Sequence, residues 1–241
     1  MTRKLYSAFA ALLLVFAASY SVSALPEGKT AETRAAARVR LPLNLAVLVQ
    51  DDLVSRVGNE LEVTRSFIRE LPAGSRVMVA YVTSGSLQVR QPFTTDLEQA
   101  TKALRVPIGS TSASPYNPYT EVREALKRFP ADNGNRNAML LVSDGLDVSR
   151  GFDAASSINS VDLQRAVREA QKRNVAVYSF YAPSAGLTSW NRTAISFGQS
   201  ALNRLSKETG GRAFFQGSSF VTFDAYFRDL SRTLNQQSIG E

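Results

Sequence analysis

Two apolar runs each stop at an acid, and they constrain the fold more than any other feature of the chain. Leu43–Gln50 leads into Asp51-Asp52-Leu53-Val54-Ser55, and Ala138-Met139-Leu140-Leu141-Val142 leads into Ser143-Asp144-Gly145. A strand with one wet face alternates apolar and polar residues; a run apolar at nearly every position has no wet face. Such runs predict central strands of a sheet covered on both sides, with the carboxylates at their carboxyl ends. Open α/β sheets bind ligands at that edge.

The remaining sequence supplies the covering layers. Apolar spacing at Val57, Leu61, Phe67, Ile68 and Leu71 predicts a helix that stops at Pro72-Ala73-Gly74. A strand over 76–83 turns at Ser84-Gly85-Ser86 into a strand over 87–93, and so short a turn joins antiparallel neighbours. Thr95-Asp96 opens a short helix to about Leu104, Val106 to Tyr119 reads as a long loop, and Asn117-Pro118 caps a helix through Phe129. A strand over 136–142, a helix over 161–173 and a strand over 175–181 follow. An irregular stretch, 183–193, precedes a helix near 201–208, a stop at Thr209-Gly210-Gly211, a short strand over 212–216 and a final helix over 222–234. This alternation predicts a doubly wound α/β fold, with a mostly parallel central sheet, one antiparallel edge strand and helices on both faces.

The amino terminus has a different character. Arg3 and Lys4 precede an apolar stretch and the small residues Val22-Ser23-Ala24, the order of a secretory signal peptide cleaved after Ala24. The expected organisation is therefore a signal peptide at 1–24, a linker at 25–42, one domain at 43–237 and a tail at 238–241, in a secreted or periplasmic protein. A retained anchor helix is the rival reading of the leader, and no second stretch reaches the length needed to span a bilayer.

Composition excludes several chemistries. Cys and His are both absent, which removes disulfides, a Cys nucleophile, a Ser-His-Asp triad and the usual zinc or haem ligands. Any metal must be a hard cation held by oxygen. There are 28 Lys+Arg against 21 Asp+Glu, but the basic residues are scattered and lack interleaved aromatics, so no nucleic-acid partner is expected. Neither a Gly-x-x-x-x-Gly-Lys loop nor a Gly-x-Gly-x-x-Gly fingerprint occurs.

The ordered set of apolar strand, Asp-x-x-x-Ser, helix, strand, tight turn, antiparallel strand, helix, Thr-bearing loop, helix, apolar strand and Ser-Asp-Gly resembles the von Willebrand factor type A domain. It covers nearly all of 43–235, and the stretch Leu205 to Phe214 is similar to the helix–strand junction near the end of bacterial members. Those members often continue into further strands, so the end at Glu241 reads as a minimal or a shortened version. The resemblance implies a non-enzymatic protein-binding module with a metal-ion-dependent adhesion site, Asp-x-Ser-x-Ser followed by a later Thr and Asp. Carried over, Asp51, Ser55 and Asp144 match the ligands, while Leu53 stands where the first Ser belongs. Thr120, five residues before Ala125, is the preferred Thr, and Thr111, after Gly109, is its alternative. Asp52 could take up the coordination that Leu53 cannot give.

Such a site implies Mg²⁺, or else Ca²⁺ or Mn²⁺, with one position open to an acidic side chain of a protein partner. Capping of the following helices is the plain alternative role for Asp51 and Asp144. A metal-dependent hydrolase or phosphoesterase using Asp51, Asp52 and Asp144, and a metal-free envelope scaffold, are the competing functions. Tyr116 and Tyr119 flank Asn117-Pro118 and are the expected partner anchors, with packing of the loop onto the sheet as their other role. Trp190, the single Trp, is expected to tuck against its own domain. Asn191-Arg192-Thr193 has the form of a glycosylation acceptor.

Overall fold

The computed structural model describes residues 41–54, 57–130, 134–156, 158–215 and 226–231. The expected leader, residues 25–40 of the expected linker, Ser55 and the tail lie outside them.

Six strands pair among the described residues: β1 (Leu43–Gln50), β2 (Arg76–Thr83), β3 (Ser86–Thr94), β4 (Arg136–Ser143), β5 (Val175–Tyr181) and β6 (Ala213–Phe214). Their order is β3-β2-β1-β4-β5-β6. Every pairing is parallel except β2 with β3, so the antiparallel edge falls where the tight turn at Gly85 predicted it. β1 is buried along its whole length, as its apolar run required. β3 instead alternates between exposed and half-buried residues. Its register with β2 slips between Val77 and Val79, opposite Pro92. A proline cannot donate to the ladder, and an edge strand with a bulge tolerates that loss.

Helices α1 (Val57–Arg69) and α2 (Leu97–Lys102) cover one face, while α3 (Pro118–Leu126), α4 (Val161–Lys172) and α5 (Arg192–Glu208) cover the other. The side chains of β1 sort between the two cores with the strand period of two. Leu45, Val47 and Val49 join Leu61, Ile68 and Ala100, whereas Ala46 and Leu48 join Val122, Leu163 and Leu202.

Some boundaries differ from expectation. α5 begins at Arg192, well before Ala201, because the Asn191 side chain accepts the Ala194 amide and caps the helix. α3 ends at Leu126, short of Phe129. The long loop contains a short 3-10 turn at Thr111–Ala113. No helix among the described residues is long and apolar enough to cross a membrane.

β1 and β4 are neighbours, and the strand order reverses between them, which makes their carboxyl ends the switch point where α/β folds form a crevice. Val49 pairs with Val142 in register. The next residues up the two strands are Gln50 and Ser143, then Asp51 and Asp144, so both acids stand at the crevice.

Candidate functional site

The two strand-ending acids share the crevice but not a ligand. Asp51 is fully buried and turns toward the loop that follows α2. Arg105 grips it with both arms of its guanidinium, Nη1 to Oδ1 at 2.6 Å and Nη2 to Oδ2 at 2.7 Å. The Ile108 amide donates to the same Oδ1 at 3.1 Å, and the Gly109 amide donates to the Asp51 carbonyl at 3.0 Å. Bidentate pairing of a guanidinium with a carboxylate is among the strongest charge-assisted contacts a protein makes.

Arg105 is itself held in place. Its guanidinium lies 4.1 Å from the centre of the Tyr81 ring, an attractive cation–π distance. The Tyr81 hydroxyl donates to the Arg105 carbonyl and accepts from its amide, both at 2.6 Å. The Asp51 carboxylate beside it raises the affinity of Arg105 for its proton, against the opposing effect of burial.

Asp144 instead faces Asp52. The Gln50 amide nitrogen stands between them, donating to Asp52 Oδ1 at 2.7 Å and to Asp144 Oδ1 at 3.1 Å. Its orientation is fixed, because the Gln50 carbonyl oxygen accepts from the Ser143 hydroxyl and from the Asp144 backbone amide. Asp144 also accepts from the Leu146 amide at 3.1 Å and the Thr188 hydroxyl at 2.9 Å. Burial raises the Asp144 carboxyl above its ordinary range despite these donors. Burial, and then the charge of Asp144, push Asp52 up to about 6.

Leu53 is buried in the core beneath the crevice. The segment that carries it crosses to the loop after β5: Leu53 bridges to Ser184, the Val54 amide donates to the Pro183 carbonyl at 3.1 Å, and the Ala185 amide donates to the Asp52 carbonyl at 2.8 Å. Thus an aliphatic residue fits here for a packing reason.

These residues do not suit a divalent ion as the resemblance would place it. Both oxygens of Asp51 are taken by a fixed cation, the gap between Asp52 and Asp144 holds an N–H donor, and Leu53 has no lone pair. Among the described residues no group of three acids gathers at a distance that could hold a metal. Ser55 lies outside those residues. Thr120 is exposed on α3 and does not line the crevice. Thr111 does line it, with Gln50, Ser114, Asp144 and Ser184, around a cavity of about 180 Å³.

The two tyrosines separate. Tyr119 is fully buried and donates to the Gly145 carbonyl at 2.6 Å, so it packs the loop from inside and offers a partner nothing. The cause is its place in the first turn of α3, where the inward face meets the sheet. Tyr116 is 61% exposed, has a backbone φ of 51° and lies on the cavity rim. Trp190 is not tucked in: it is 70% exposed just beyond β5.

Sequence reasoning missed Arg105 and Gln50. The signal for Gln50 was one polar residue closing an otherwise apolar buried run. Arg105, in Leu104-Arg105-Val106, had only the weak signal of a lone charge between apolar neighbours.

No protein-family model matches the chain, and no curated protein matches it. Solved structures do share the fold. The conserved hypothetical protein BatB from Bacteroides thetaiotaomicron has 13% sequence identity, with 82% of this chain and 100% of that chain covered at a TM-score of 0.57. An aerotolerance-related membrane protein from Bacteroides fragilis, in a form with multiple mutations to serines, has 13% identity, with 80% and 99% covered at 0.51. The SpRpn10 VWA domain has 14% identity, with 78% and 95% covered at 0.48. The strand order and antiparallel edge are those of the von Willebrand type A fold that the sequence resembles.

Proposed function

We propose that this chain, built on the von Willebrand type A fold, is an exported, non-enzymatic protein-binding module whose binding face is the loop edge at the carboxyl ends of β1, β4 and β5. One observation carries the reading. Of the exposed large apolar side chains among the described residues, Val106, Ile108, Tyr116, Ile158, Val161 and Trp190 sit on the loops at this edge or on the helix turn leading from it, Phe215 directly follows β6, and Leu41 lies at the opposite edge. An apolar residue gains nothing by facing water, and exposed apolar groups gathered on one side mark contact surfaces. The loops are tied to the edge by hydrogen bonds, Gly109 to Asp51 and the Val148 amide to the Tyr116 carbonyl at 2.7 Å, so the face is presented on a rigid base. Aromatic residues such as Tyr116 and Trp190 serve well as anchors.

The hydrolase reading needs Asp51, Asp52 and Asp144 to act together on one ion or one water. Asp51 is instead turned to Arg105. The leader pattern at 1–24 supports export.

The test is a capture experiment with three forms of the chain: the unmodified protein, a variant with Ile108→Ser, Tyr116→Ser and Trp190→Ser, and Leu41→Ser as the control at the opposite edge. Proteins retained by the unmodified chain and by Leu41→Ser should be lost from the triple variant, whose melting temperature should be unchanged. Equal retention by all three would overturn the reading.

A further inference from the structure

We propose that Arg105 is a built-in counter-cation that assembles the loop edge, so that this edge takes its working form without a divalent ion. The proposal deepens the reading of that edge as the binding face and rests on it, but its test needs no partner.

The geometry of the donors points this way. A divalent ion at Asp51 would have to compete with Arg105, because two guanidinium arms and one backbone amide already donate to its two oxygens. An ion between Asp52 and Asp144 would need to displace the Gln50 amide, whose carbonyl end is pinned by Ser143 and the Asp144 backbone. The third position belongs to Leu53, locked in the core by its bridge to Ser184. At Asp51, between Asp52 and Asp144, and at position 53, an internal N–H donor or a hydrocarbon thus stands where the resemblance would put an ion or its ligand.

Arg105 does for the loop what an ion would do for the strand end. It neutralises Asp51, and through Asp51 it fixes the amides of Ile108 and Gly109. Val106 and Ile108, two of the exposed apolar residues of the face, are carried by this same clamp. A guanidinium stays charged at any physiological pH and cannot diffuse away. The edge is consequently insensitive to chelators and to ion concentration. Arg105 is a positioning residue, acting on a partner only through the loop it holds.

Two measurements on the full chain test this. In the first, Mn²⁺ is titrated into the unmodified protein while free Mn²⁺ is read by electron paramagnetic resonance, and melting is compared with and without EDTA. The expected result is no saturable uptake at millimolar Mn²⁺ and no shift in melting temperature. Saturable uptake that Asp144→Asn abolishes would overturn the proposal, and this arm needs no destabilised variant.

In the second, amide hydrogen exchange is followed in Arg105→Gln and Arg105→Lys. Protection at Ile108 and Gly109 should fall by about tenfold or more in Arg105→Gln and by less in Arg105→Lys, while β4 amides keep theirs. Unchanged protection at those two amides, or a uniform loss across the sheet, would show an ordinary structural ion pair. Failure of the capture experiment with these results intact would refute the binding face and leave the clamp standing.

Discussion

Asp52 and Asp144 lean on one amide donor, and no cation shares their space among the described residues. Asp52 titrates at about 6, above the ordinary 3.8, because burial and the neighbouring Asp144 charge both disfavour its ionised form. The folded protein thus binds this proton more tightly than the unfolded chain does. Its contribution to stability is fully present below about pH 4 and is lost as the pH rises through 6. Asp52→Asn removes the charge and keeps a hydrogen-bonding group beside Gln50. Urea unfolding should show the variant more stable than the unmodified chain at pH 7 by about 2 kcal/mol, with the gap closing toward pH 4. Parallel stability curves across that range would mean that ionising Asp52 carries no cost. Asp51, one residue earlier, is paired instead with the Arg105 guanidinium.

At the scale of elements, α5 packs directly against the strand end that carries Asp144. Gly198 packs directly on the Asp144 backbone carbonyl, and a side chain there would collide with it. Gly145 meets the same helix from the other side, where an added Cβ would lie 2.5 Å from Leu202. Gly198→Ala should therefore push α5 from the strand end and destabilise the fold by about 2 kcal/mol, although alanine is the better helix former. Thermal melting reads the change; an equal or higher melting temperature would show that the helix can shift freely. The glycine also bears on how legible this element was. The central strands could be read from sequence because complete burial needs an unbroken apolar run. The start of α5 could not, since Arg192 to Ser200 lacks a clear apolar period and its Asn191 cap resembled a glycosylation acceptor. Caps such as Asp96, Asn117 and Ser160 behave as their residue types suggest, each accepting an amide of the first turn. The acids of the site were equally legible as positions. Their partners were not, because the Arg105 contact to Asp51 spans 54 residues and is created by the loop crossing the strand ends.

For the molecule as a whole, the topology that brings β1 beside β4 also brings three loops to one edge, and most of the exposed large apolar side chains among the described residues follow them there. The proposed binding face lies where α/β sheets usually place ligands. At that face the charge of Asp51 is balanced from within, by Arg105. Removing one member of a buried ion pair leaves the other charge without compensation and costs about 3 to 5 kcal/mol, whereas removing both costs less. A double-mutant cycle on Asp51→Asn and Arg105→Gln, read by equilibrium unfolding of the full chain in EDTA and again in millimolar Mg²⁺, separates the internal ion pair from any effect of a bound cation. The coupling energy should be about 2 kcal/mol or more and the same in both conditions. A coupling near zero, or stability of the unmodified chain that rises with Mg²⁺, would contradict this.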